Sequence, residues 1–178
     1  MKHKVLSFIP IFIIGLPISC SPKDKIDLHS TVAIDSSFSP VDIEIITSAI
    51  DQWQATTSEL VKINLIITDD PKSSPNRILK GSYGIDSSDR SQFYGLTTWG
   101  YSGIETTLYL DTITVNGVYL QEIAMHEFGH MLGLAHKPTG LMTAFPTGQV
   151  CIDKDTLDQF CQVRDCGSIR VQPNCITD

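Results

Sequence analysis

Apolar residues recur along this chain with two periods, and the alternation between those periods predicts a run of elements. Val41, Ile45, Ala49, Ile50 and Trp53 recur at helical spacing. Ser39 stands as an N-cap with Pro40 in the first turn, so a helix is expected from there to about Thr56. Before it, residues 31–35 alternate weakly and read as a strand. After it, residues 61–68 are rich in branched side chains and read as a second strand, ended by Asp69, Asp70 and Pro71. The polar run over 72–89 is interrupted by Pro75, Gly81 and Gly84, with one short strand expected near 77–80. Residues 93–99 and 104–110 alternate and are joined by 100–103, the pattern of an antiparallel hairpin. Leu120, Ile123 and Ala124 return to the helical period, giving a helix over 118–132. A last helix follows Asp153, with Ile152 and Leu157 placed as a hydrophobic staple across its cap and Leu157 and Phe160 on its inner face.

The second half of the 118–132 helix changes character. Residues 126–136 read HEFGHMLGLAH, which spaces His126, His130 and His136 with Glu127 as H-E-x-x-H-x-x-G-x-x-H. His126 and His130 are one turn apart on one face, so both imidazoles can reach one cation at about 2.0–2.1 Å. Glu127 is rotated by about 100° from His126, close to such a cation without being aimed to ligate it. A continuous helix would carry His136 roughly 9 Å beyond His130, at about 1.5 Å per residue. Gly133 removes that obstacle: it can take a left-handed conformation, end the helix and turn His136 back. Three neutral imidazoles leave a fourth tetrahedral position for water, as in a catalytic zinc site, and Glu127 stands where it could take that water's proton.

On these residues the chain resembles the metzincin zinc endopeptidases, whose extended histidine motif is followed by a methionine turn. Met142, in Leu141-Met142-Thr143, looks like that turn. Among metzincins the pattern is most similar to the matrixins, whose turn begins Leu-Met and offers no nearby tyrosine ligand. The resemblance implies an α+β, metzincin-like zincin fold over 31–178. That fold has a twisted, mostly β sheet packed on two long helices, with a small C-terminal helix and a disulfide-tied tail. It implies one catalytic Zn2+ held by His126, His130 and His136, Glu127 as catalytic base, and Met142 as a floor beneath the metal. It also implies protein or peptide substrates, with the strand region 93–110 flanking the cleft. Residues 143–148 would wall the pocket for the side chain after the scissile bond, and Phe145 is a candidate lining residue. The sequence departs from the family in three respects. The interval from His136 to Met142 is short, Lys137 replaces the usual serine or acid, and no cysteine-switch segment is visible. With only His3 and His29 outside the motif, the matrixins' second, structural zinc has no ligands, and a calcium site is not readable. The alternative from another class is a surface-binding lipoprotein that keeps the fold without turnover, against which the intact Glu127 argues.

The N-terminus bears on where this chemistry would occur. Lys2 and Lys4 precede an apolar stretch over 5–18 interrupted by Pro10, Gly15 and Pro17, as in a signal peptide covering 1–19. Leu16-Pro17-Ile18-Ser19-Cys20 resembles a bacterial lipoprotein box, in which Cys20 would carry the lipid and 20–30 would form a polar tether. Ordinary cleavage near Ser19 is the competing reading. Five cysteines leave one over. With Cys20 acylated, Cys151, Cys161, Cys166 and Cys175 can form two disulfides in an oxidising compartment, tying the tail to the last helix. Of the three connectivities, Cys151 to Cys161 is disfavoured by the helix between them. Export to a bacterial outer membrane or cell surface is therefore expected, or else secretion. Removing Lys2 and Lys4 with the leader leaves 11 Lys+Arg against 20 Asp+Glu, a net charge of −9. No basic stripe is present, so nucleic acid is not an expected partner, and a membrane is met only through a lipid on Cys20. The remaining length suits one hydrophobic core, without a folded prodomain.

Overall fold

The computed structural model describes residues 25–82, 84–85, 92–115 and 117–175. The expected signal peptide, Cys20 and the first part of the tether lie outside them. In chain order the elements are β1 (His29–Asp35), α1 (Pro40–Thr56), β2 (Lys62–Thr68), a 3-10 turn (Pro71–Ser73), β3 (Asn76–Gly81), β4 (Gly84–Ile85) and β5 (Gln92–Phe93). There follow β6 (Gly95–Gly100), β7 (Gly103–Tyr109), α2 (Leu110–Val115), α3 (Leu120–Met131) and α4 (Lys154–Arg164).

Five strands form one sheet in the order β2-β1-β3-β7-β6, while β4 and β5 make a separate antiparallel ladder. β1 runs parallel to β2 and β3, and β3 parallel to β7. β6 alone in the main sheet is antiparallel, paired with β7 from Gly95↔Leu108 to Gly100↔Gly103, and it forms one edge. The hairpin turn requires glycine: Gly103 has φ +120°, and a Cβ there would collide with the Pro75 carbonyl. The α+β architecture expected from the sequence is what the chain adopts, with α1 and α3 packed on each other and the sheet.

α1 begins as its sequence dictates. Ser39 Oγ accepts from the Asp42 amide while the Asp42 carboxylate accepts from the Ser39 amide, a closed capping box. Its buried face differs from the expected stripe. Ile46, Ala49, Ile50, Trp53 and Thr56 are buried, whereas Val41 is 64% exposed and Ile45 only half-buried. Helical spacing fits either face here, and contact with α3 selects the one centred on Trp53. Trp53 is fully buried and its Nε1 donates to the Met125 carbonyl at 3.0 Å.

The expected tether over 20–30 is corrected at its far end. Ile26 is 2% exposed, its amide donates to Met131 O at 2.9 Å, and His29 already belongs to β1. Arg164 fixes the same segment to α3, donating to the carbonyls of Leu132 and Ile26. The strand expected to reach 110 ends at Tyr109 and passes into α2, a short helix that the alternation did not indicate. α4 starts as expected, with Asp153 accepting from the Thr156 amide and Ile152 and Leu157 buried on either side of the cap. The disulfides are Cys151–Cys175 and Cys161–Cys166. The tail is thus tied to the residues preceding α4, and the second bond closes the helix's own C-terminal turn. Among the described residues no helix is long and apolar enough to cross a membrane.

Candidate metal centre

α3 delivers the histidines, and its C-terminus brings in the third. Gly133 has φ +93°. Its amide donates to His130 O at 2.8 Å and the Leu134 amide to Gly129 O at 3.0 Å, a Schellman closure that stops the helix and reverses the chain. His136 then faces the two helical imidazoles, its Nε2 3.1 Å from that of His130. One ligand atom from each of the three rings lies within 4.8 Å of the others.

Backbone carbonyls set the tautomers. His126 Nδ1 lies 2.8 Å from Leu141 O, and His130 Nδ1 lies 2.7 Å from Leu134 O. Each Nδ1 therefore carries the proton and each Nε2 presents its lone pair to the common centre, as a metal-ligating histidine requires. Burial, ahead of the neighbouring imidazoles, lowers the pKa of both His126 and His130 to about 4. Their lone pairs are free at neutral pH. Three imidazole donors at this spacing suit zinc and leave one tetrahedral position open. The residues present fit that ion.

Glu127 lies beside the cluster, 5% exposed. Burial raises its pKa to about 7, opposed by a hydrogen bond from the Thr97 hydroxyl to Oε2 at 2.7 Å. Thr97 in turn lies 2.8 Å from the Thr106 hydroxyl of β7, so a short relay across β6 and β7 ends on the carboxylate. The edge strand must come close for this. A Cβ on Gly95 would stand 2.5 Å from Glu127 Cγ. Met142 is fully buried below α3, and its Sδ would be 2.6 Å from a Cβ on Gly129. The turn itself closes through Lys137 N to Met142 O at 2.8 Å.

The three histidines, Glu127, Thr97 and Gly95 line one cavity of about 400 Å³, bounded by Tyr94, Leu96 and Trp99 on the strand side and by Thr143, Ala144, Phe145 and Pro146 opposite. Phe145 contributes to it from the rim, being 78% exposed. The structure thus brings together His126, His130, His136, Glu127 and Met142, all of them expected from the sequence. Thr97, Gly95, Gly129 and Glu122 at the same site were not anticipated. The sequence profile of the Matrixin family matches residues 48–159, more than half of the chain. The chain belongs to the matrixin family. Matrixins are zinc metallopeptidases. That membership settles the subfamily despite the short interval to Met142 and the lysine at 137. The solved metalloproteinase-II from Bacteroides fragilis is similar in fold, with a TM-score of 0.51 and 13% identity over 83% of this chain and 55% of that one. This chain therefore spans about half the length of that structure. No curated protein matches the sequence.

Proposed function

We propose that this matrixin is a zinc-dependent endopeptidase in which His126, His130 and His136 bind the metal and Glu127 is the general base. The observation that carries the reading is the convergence of three imidazoles and one buried carboxylate in a single open cavity. Zinc, when bound, supplies a Lewis acid that polarises the scissile carbonyl and lowers the pKa of a coordinated water. Glu127 does the proton work. With its Oε2 held by Thr97, Oε1 accepts the proton as water attacks the carbonyl carbon, and the same carboxyl then protonates the departing amine. Burial, which raises its pKa, favours return of the proton it takes.

β6 supports an extended substrate. Among the described residues it is the last strand of its sheet, with a row of backbone groups beside the cavity that no other described strand pairs with and to which a peptide can add as a further strand. Backbone pairing confers little sequence preference, so selectivity falls to the pocket behind Phe145. Two disulfides support action in an oxidising compartment, consistent with export as a lipoprotein through Cys20 or as a secreted enzyme. Glu127→Ala tests the mechanism. Cleavage of unfolded protein should fall at least about a hundredfold while zinc content stays at the wild-type level. Wild-type cleavage by the variant would exclude Glu127 as the base.

A further inference from the structure

A second carboxylate lies on the cleft-facing stripe of α3. Glu122, His126 and His130 follow one another at four-residue spacing, so Glu122 projects one turn before the first histidine and lines the same cavity. It is only 3% exposed. A buried carboxylate is costly unless hydrogen bonds replace its lost hydration. Here main-chain amides do so. Oε1 accepts from Thr147 N at 2.6 Å, Gly148 N at 2.9 Å and Gln149 N at 3.2 Å, and Oε2 also accepts from Gly148 N at 3.0 Å. The Thr147 hydroxyl adds a contact at 3.3 Å. Position in the first turn of α3 favours the negative charge further.

These three amides follow directly after Ala144, Phe145 and Pro146, the wall of the pocket. The other end of that wall is fixed as well, since Thr143 Oγ1 donates to Phe145 O at 2.7 Å and Lys137 N holds Met142 O. Gln149 extends the anchorage. Its Nε2 donates to Asp153 Oδ2 at 2.6 Å, the same oxygen that receives the Leu141 amide at 2.8 Å. Leu141 O in turn receives His126 Nδ1. The wall is thus strung between the metal-ligand loop and a buried acid on the zinc helix.

The geometry points to Glu122 as a positioning residue that fixes the pocket wall at residues 144–146 and so limits which substrate side chain enters beside the metal. Without the carboxylate, three amides lose their acceptor and the wall is free to move outward, admitting larger side chains. Only the substrate arm of the test rests on the peptidase reading above.

Hydrogen exchange followed by NMR on the zinc-loaded full chain reads Thr147, Gly148 and Gln149 individually. Glu122→Ala should speed exchange at these three amides about tenfold or more, while the amides of α3 and the zinc content stay as in wild type. Glu122→Gln keeps one acceptor oxygen and should restore most of the protection, with Gly148, shared by both oxygens, the fastest of the three. If the alanine variant fails to fold, the glutamine variant decides alone by the rate at Gly148. In a peptide library, Glu122→Ala should accept larger residues after the scissile bond and raise KM for the best wild-type substrate about tenfold, with a smaller change in kcat. Wild-type exchange at 147–149 in the variants overturns the anchoring role, and faster exchange with an unchanged library profile overturns the selectivity role. A wild-type protein that cleaves nothing refutes the peptidase reading instead, and the exchange arm still decides the anchor.

Discussion

The role proposed for Glu127 depends on what surrounds it. Burial pushes its pKa upward, and the hydrogen bond from the Thr97 hydroxyl opposes that shift. Thr97→Val removes that hydroxyl at nearly constant volume. The variant should lower kcat about tenfold and move the acid limb of its rate profile to higher pH, since the carboxylate is then harder to ionise. An unshifted profile would show that Thr97 does not tune the base. This residue also marks a limit of sequence reading. Along β6 the apolar Leu96 is 41% exposed and the polar Thr97 is 6% exposed, opposite to what hydrophobic alternation would suggest. The reason lies 30 residues away in Glu127, which needs a buried hydroxyl facing it. The histidines were legible because their constraint is local spacing. Gly129 and Gly95 were not, because their constraint is the approach of Met142 and Glu127 from elsewhere in the chain.

At the scale of elements, the C-terminus of α3 decides whether two ligands become three. The switch from helical to left-handed backbone at Gly133 turns the chain so that His136 meets His130. Any side chain at Gly133 is strained by φ +93° and crowds Lys25 and Val163 at 3.1–3.3 Å. Gly133→Ala should therefore destabilise the protein by about 1–2 kcal/mol and weaken zinc binding, as read by competition with a chromophoric chelator. Unchanged zinc affinity would mean that His136 reaches the metal without this bend. The caps Ser39 and Asp153 made the starts of α1 and α4 legible, and Gly133 made the end of α3 legible. The buried face of α1 was not, because two overlapping stripes satisfy the same period and only the docked α3 distinguishes them. α2 was missed because six residues are too few to establish a period.

The whole molecule places an antiparallel edge strand on one side of the cleft and the turn after His136 on the other. Three parallel pairings set that arrangement, and each depends on chain crossovers that no local pattern encodes. The assembled site also leaves a signature in stability. After chelation, His126 and His130 bind fewer protons folded than unfolded between their pKa of about 4 and the ordinary 6.5. Glu127 binds more protons folded, between its ordinary 4.5 and about 7. Two groups against one leave the unfolded chain with a net excess of about one proton through that range. Stability of the metal-free protein should then rise by about 1.4 kcal/mol per pH unit from about pH 4.5 to about pH 6.5, measured by urea unfolding. A falling or flat curve would mean that these three groups are not buried together as described.

The central claim is that three imidazoles from α3 and the loop after Gly133 hold one zinc ion. Elemental analysis after incubation with excess Zn2+ and dialysis tests it most directly. Wild-type protein should retain one zinc per chain and His130→Ala almost none; wild-type protein that retains no zinc would contradict the account.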